Sequence, residues 1–287
     1  MKLFKVSLRS GHVTIQIPDR LTDVVVANIF SDALKETNQR CNIHFKIESN
    51  ASHYWLYRNH HPTHRNNQLA KIIYALEWQV FEALIRQNRD CLQFHAAVMA
   101  RNDKAFMFIG PAGTGKTSLC LFLMRQGWSF FSDEIALLEP DTRLLFPFPR
   151  NIITKPHLNS LIEPDSRRLI IKFAGADNRV YPGFFVPPSY FTPQSIAAQP
   201  LTLCGIILLD GSPGAVLRIM PLSSAAAFQG VIANLFNHHC FRDHALHYLL
   251  TLLNQCKPVK LSLPNPLFAD PVVQNELVRI LYGANLC

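Results

Sequence analysis

One stretch constrains this chain more than any other. Gly110-Pro111-Ala112-Gly113-Thr114-Gly115-Lys116-Thr117 fits the pattern G-x-x-x-x-G-K-[ST] at every position. That pattern works only where a strand delivers the chain to a sheet end and a helix leads it away, so it demands a strand–loop–helix unit in an α/β fold. The flanks comply. Phe106-Met107-Phe108-Ile109 is an apolar strand run, and Leu119, Phe122 and Leu123 follow at helical spacing. The glycines permit unusual backbone angles and let amides approach a phosphate closely. The helix N-terminus favours negative charge, Lys116 reaches the β- and γ-phosphates, and Thr117 offers a hydroxyl to Mg²⁺. The candidate nucleotide-binding residues are therefore Gly110, Pro111, Ala112, Gly113, Thr114, Gly115, Lys116, Thr117 and the adjacent Ser118, with ATP and Mg²⁺ as the expected cofactors.

About one helix further on, Trp128 to Ser132 reads as a strand ending in Asp133-Glu134. An acidic pair at a strand end beside a phosphate loop suits phosphoryl chemistry: one acid can hold the metal while the other takes a proton from an attacking hydroxyl.

The surrounding elements follow from periodicity. Val13–Ile17 and Cys41–Ile47 alternate like strands, and 24–34 fits strand or helix. His60 to Asn67 is polar, contains Pro62 and reads as a loop. Leu69, Ile72, Ile73, Leu76, Val80, Leu84 and Ile85 mark an amphipathic helix. Leu92–Ala100 and Lys104–Ile109, joined by Asn102-Asp103, read as a hairpin. Gly127 sits at a helix C-cap position. Ile135–Leu138 and Arg143–Phe146 flank a turn, 182–200 looks irregular, and Leu203–Leu209 with Ala215–Ile219 suggests another hairpin. Helices are expected over Ser223–Asn237, His244–Gln255 and Val272–Leu281, with a strand at Val259–Leu263. The expected organisation is a small αβ region over 1–66 and a phosphate-loop domain over 67–287, a mixed sheet with helices.

Together these residues resemble a known family. Phe94-His95-Ala96-Ala97-Val98, the hairpin, the phosphate loop, Gly127-Trp128 and Ser132-Asp133-Glu134 resemble the HPr kinase/phosphorylase superfamily, and most closely its HPr-kinase-related kinase A group. The resemblance is specific over about 90–150. It implies the P-loop kinase fold shared with phosphoenolpyruvate carboxykinase. It implies Asp133 as the base that activates an acceptor hydroxyl, Glu134 with Thr117 at Mg²⁺, and His95 as the group that orients Asp133. Phe148-Pro149-Arg150, followed by Lys155, resembles a Pro-Arg segment in which Arg150 would neutralise charge on the transferred group. The second acid is Glu where HPr kinases carry Asp. The family implies an ATP-dependent kinase acting on a protein, peptide or small-molecule acceptor, with a PqqD-like peptide-binding protein as companion and a homo-oligomeric assembly. A non-catalytic nucleotide-binding module and a simple ATPase are the alternatives.

The remaining composition narrows partners. Of 287 residues 48% are hydrophobic and 17% charged, which supports a packed core rather than disorder. The formal charge of +8 favours anionic ligands, yet Lys and Arg are scattered, so a nucleic-acid partner is not expected. The longest apolar runs fall short of the ~18 residues that span a bilayer, so a cytoplasmic protein without membrane attachment is expected. Seven cysteines without C-x-x-C indicate reduced thiols. Cys240, His244 and His247 would share a helix face, beside His238 and His239, and make a candidate zinc cluster; Arg242 is a candidate late arginine.

Overall fold

The computed structural model describes residues 1–154, 158, 171–174, 180–192, 196–211, 216–241, 244–264 and 271–283. Two compact units share the chain, which crosses between them three times: Met1–Asn88 with Pro149–Tyr190, and Arg89–Phe148 with Phe191–Cys287. The chain builds β1 (Lys2–Leu8), β2 (Gly11–Ile17), α1 (Thr22–Asn28), β3 (Lys35–Glu36), β4 (His44–Ser49), β5 (Tyr54–Arg58), β6 (His61–Asn66) and α2 (Leu69–Gln87) in the first unit. It passes to the second for β7 (Leu92–Arg101), β8 (Lys104–Ile109), α3 (Lys116–Arg125), β9 (Ser129–Ser132), β10 (Ile135–Leu138) and β11 (Leu144–Phe146). It returns for β12 (Ile152–Ile153), β13 (Ile171–Ala174), β14 (Val180–Gly183), β15 (Phe185–Val186) and α4 (Pro188–Phe191). The second unit is completed by β16 (Leu201–Asp210), β17 (Arg218–Pro221), α5 (Ser224–Ile232), α6 (His238–Phe241), α7 (His244–Cys256), β18 (Val259–Ser262) and α8 (Pro271–Gly283). Among the described residues no helix is long and apolar enough to cross a membrane.

In the first unit a six-stranded sheet of order β3-β1-β2-β4-β5-β6 packs one face on α2. Strand alternation explains this: Val13, Ile15, Ile17, Phe45, Ile47 and Leu56 are wholly buried. Helix α2 buries Ile72, Ile73, Leu76, Val80 and Leu84 in return. The expected boundary after residue 66 therefore does not hold, because α2 supplies the other half of this core. The expected loop at 60–67 is also a strand. β6 is an edge strand, where Pro62 needs no ladder partner and polar side chains face water.

An ion pair is buried within this unit. Arg150 Nη2 lies 2.6 Å from Glu77 Oε1, its Nε donates to the same oxygen at 2.9 Å, and the guanidinium sits 4.5 Å from the centre of the Phe81 ring. Both side chains are shielded from water, so each depends on the other.

In the second unit the sheet order is β11-β10-β7-β8-β16-β18-β17, with β9 also on β7. The hairpin reads as expected: Asn102 and Asp103 take φ +49° and +58°, the turn whose twist matches the strands. Leu92, Phe94, Ala96, Val98 and Ala100, at alternate positions of β7, join a core with Ile206, Val231, Leu249 and Leu253. Helix α3 packs on β7 and β9. It ends in paired C-terminal bonds, Gly127 N to Met124 O at 3.0 Å and Trp128 N to Leu123 O at 3.0 Å, which satisfy its last carbonyls. The second expected hairpin is corrected: β16 and β17 do not pair, because β18 lies between them, parallel to β16. Cys204 on β16 is disulfide-bonded, whereas Cys41, Cys91, Cys120, Cys240 and Cys256 are free, so the expectation of seven reduced thiols does not hold. Sequence spacing carries no signal for a bond that tertiary contact alone brings together.

The buried ion pair yields a test. Arg150→Ala removes the cation bonded to the buried Glu77 carboxylate and should lower the opening free energy of α2 amides by roughly 3–5 kcal/mol, read by hydrogen exchange. The double replacement Glu77→Leu with Arg150→Met should recover most of that loss, since an apolar pair needs no charge compensation.

Candidate active site

Strand β8 ends at Ile109 inside the sheet, between antiparallel β7 and parallel β16. The loop that follows takes φ +88° at Gly113 and +93° at Gly115, the second being the N-cap of α3. Open space surrounds the Cβ position of both residues, so backbone angle rather than room requires glycine there. Thr114 Oγ1 donates to Pro111 O at 2.9 Å, and Lys116 Nζ donates to Gly110 O at 2.5 Å and Pro111 O at 3.2 Å. Lys116 and Ser118 are buried. Gly211 directly follows β16. A Cβ on it would lie 2.4 Å from Thr114 O and 2.7 Å from Thr114 Cα, so the loop after β16 presses on the phosphate-loop backbone.

The acidic pair sits where two strand segments meet. β9 and β10 both run antiparallel along β7, Ser132 opposite Val98 and Ile135 opposite His95, with Asp133 and Glu134 in the gap. Ser132 Oγ fixes this bend by accepting from Glu134 N at 3.3 Å and Ile135 N at 3.1 Å. The two acids diverge. Buried Asp133 accepts from Thr117 Oγ1 through Oδ2 at 3.1 Å. Glu134, nearly half exposed, places Oε1 3.5 Å from His95 Nε2. The resemblance implied a His95–Asp133 pairing; the imidazole instead meets Glu134, because neighbouring residues in a bent strand segment point different ways.

His95 has a second neighbour that periodicity hid. Its N–H donates to Asn234 O at 2.8 Å, and Phe236 N donates to Gln93 O at 2.8 Å, so residues 234–236 run antiparallel along the start of β7. This sets the Phe236 ring 6.0 Å from the His95 ring at 24°, with 51% of Phe236 exposed. The expected helix through Asn237 ends instead at Ile232, and the freed residues bond to β7. A half-exposed aromatic at the end of an apolar run was the available signal.

Electrostatics define the protonation of the imidazole. Burial, and then the Lys116 ammonium, lower the His95 pKa from its ordinary value, against a smaller opposing effect of Glu134. At neutral pH the ring is therefore uncharged, with Nε2 3.5 Å from the Glu134 carboxylate. Cys120, wholly buried beneath, has its thiol pushed well up by burial and by Asp133, so it stays protonated.

Arg150 belongs to the first unit, its guanidinium engaged by Glu77. Lys155 and Arg242 lie outside the described residues. The histidine cluster does not converge. His238 and His239 stand edge to face, His244 and His247 lie against Tyr248, and among the described residues no group of three or more His, Cys, Asp or Glu is placed to hold a metal ion.

No family model matches the sequence, and no curated protein matches it. A solved structure to which it is similar is the HPr(Ser) kinase/phosphatase from Coxiella burnetii, at 16% identity and a TM-score of 0.27 over 66% of this chain and 98% of that one. Values that low leave activity to be argued from the residues themselves.

His95 offers a direct check by NMR titration. Its midpoint should lie below the ordinary 6.5. Lys116→Ala, which removes a nearby cation, should raise it; Glu134→Gln, which removes the stabilising anion, should lower it further.

Proposed function

We propose that this chain is a P-loop phosphotransferase of the HPr-kinase-like type, moving the γ-phosphoryl group of ATP to a hydroxyl on a protein, peptide or small molecule. The observation that carries the reading is the convergence of the phosphate loop, the Thr117–Asp133 pair and the Glu134–His95 pair on one strand junction of the second unit. The sequence resemblance over about 90–150 points the same way.

The residues fit Mg²⁺ and a nucleotide. Hard oxygen donors suit Mg²⁺, and Thr117 Oγ1 and Asp133 Oδ2 already lie 3.1 Å apart. Glycines at positive φ open the loop backbone to phosphate oxygens, and Lys116 stands at its centre. When bound, Mg²⁺·ATP supplies the phosphoryl group and part of the charge that balances it. Lys116 and the first amides of α3 hold the phosphates and stabilise charge that builds on them. Glu134 accepts the proton of the acceptor hydroxyl, while the neutral His95 N–H holds the carboxylate in one orientation. This assignment exchanges the two acids relative to the sequence expectation: Asp133 serves the metal and Glu134 the proton. Phe236, beside His95 and half exposed, offers a wall against which an acceptor rests.

Three variants separate these roles. Lys116→Ala should abolish Mg·ATP binding or weaken it by roughly 10² or more, by calorimetry on folded protein. Asp133→Asn should lose the Mg²⁺ dependence of nucleotide binding. Glu134→Gln should bind Mg·ATP within a few-fold of the parent and lose transfer by about 10²–10⁴, the worth of a positioned base. Transfer is read as label from γ-labelled ATP reaching a macromolecule or small acceptor in a lysate. Label released only as inorganic phosphate would identify an ATPase instead. Full transfer by Glu134→Gln would return the proton to Asp133.

A further inference from the structure

The first unit contains a cavity of about 210 Å³, on the polar side of its sheet, that the phosphotransferase reading does not use. Its lining includes Arg40, His44, Lys46 and His60, with Glu48 as the carboxylate. The position follows from strand register. Gln16 pairs with Lys46 across β2 and β4, and Lys46 with Tyr57 across β4 and β5, so these side chains share a face with His44 and Glu48 at alternate positions. The intervening residues Ile15, Phe45, Ile47 and Leu56 face the opposite way into the core.

A polar sheet face usually lies open to water. Here two connections border it. Asn59 Oδ1 accepts from His44 N at 2.7 Å, Asn59 Nδ2 donates to Asn42 O at 3.0 Å, and Arg40 Nη2 donates to Gln16 Oε1 at 2.9 Å. The turn that carries His60 holds two non-glycine residues at positive φ, +45° at Asn59 and +74° at His60. His44 ends up only 8% exposed. Its Nδ1 meets Thr14 Oγ1 at 3.0 Å, and its buried Nε2 has no partner among the described residues. Thr14 Oγ1 also accepts from the Cys41 amide at 3.2 Å, and its hydroxyl proton can be donated to His44 Nδ1. A neutral ring in that tautomer carries its N–H on Nε2, a buried donor that calls for an acceptor.

Charge around the cavity points to the kind of acceptor. Glu48 is already tied to Lys46 at 2.5 Å, which leaves Arg40 as excess positive charge, with His60 beside it. Burial first, then Arg40, His60 and Lys46, bring the His44 pKa down to about 4, so the ring is uncharged at neutral pH and can only donate or accept a hydrogen bond. A guanidinium and an ammonium beside one small cavity, with the His60 imidazole at its edge, suit an oxyanion. We propose that the cavity bordered by Arg40, His44, Lys46 and His60 is a binding site for a small oxyanion, a phosphate or carboxylate group of a ligand separate from the nucleotide.

The test follows the ring signals of His44 and His60 by NMR in the full chain. Sodium phosphate and sodium acetate are titrated in turn, with sodium chloride at matched ionic strength as the control. Signals resolved by residue separate this cavity from the phosphate loop, and repeating the titration in Lys116→Ala removes any contribution from that loop. The expected result is a saturable shift of both rings with phosphate, with acetate or with both, and none with chloride. Arg40→Ala, an exposed position, should weaken the response by roughly tenfold or more while leaving the amide spectrum of the core unchanged; Lys46→Ala serves as the second variant. Saturation by phosphate alone would mark a phosphoryl ligand, and by acetate alone a carboxylate. Shifts that fail to saturate with either anion, that chloride reproduces, or that persist unchanged in both Arg40→Ala and Lys46→Ala would overturn the proposal.

Discussion

Strand β7 bonds to four partners along its length, and the candidate site exists because of how they divide it. β8 occupies one edge from Ala96 to Arg101. β9 and β10 share the other edge and leave a gap between Ser132 and Ile135. Residues 234–236 take the edge that β8 leaves vacant at the start of the strand. The gap puts Asp133 under Thr117 and Glu134 beside His95, and the added segment brings Phe236 to His95.

Buried charge is handled differently in the two units. In the first, Glu77 and Arg150 neutralise each other under an aromatic ring, an arrangement whose cost of desolvation is offset only while both partners remain. In the second, the Lys116 ammonium is held by the carbonyls of its own loop, and its field adds to burial in lowering the His95 pKa. The first pattern is structural. The second keeps a cation near a neutral imidazole, a combination suited to binding phosphate while leaving a hydrogen-bond donor for the neighbouring carboxylate.

Much of the second unit was legible in the residues. The hairpin, the phosphate loop and the helix after it rest on interactions within about thirty residues, where turn chemistry and apolar period speak directly. The acidic pair was legible as a pair, but the role of each member was not. Side-chain direction at a strand break depends on Ser132 accepting two amides and on the register against β7. The strand at His61–Asn66 was hidden because an exposed edge strand carries the same polar, proline-containing composition as a loop. The position of β18 between β16 and β17 is a long-range pairing that no local pattern encodes.

By itself, the sequence determined that a phosphate loop stands between a strand and a helix, that two acids follow within one helix length, and that an amphipathic helix precedes the hairpin. These are properties of neighbouring residues, fixed by backbone preference and periodicity. Tertiary structure alone decided that α2 belongs with the first sheet, that Arg150 is spent on Glu77, that His95 turns to Glu134 under Phe236, and that Arg40, His44, Lys46 and His60 gather around one cavity. Each of those outcomes depends on which distant surfaces bury each other, and burial is a property of the packed chain rather than of any segment of it.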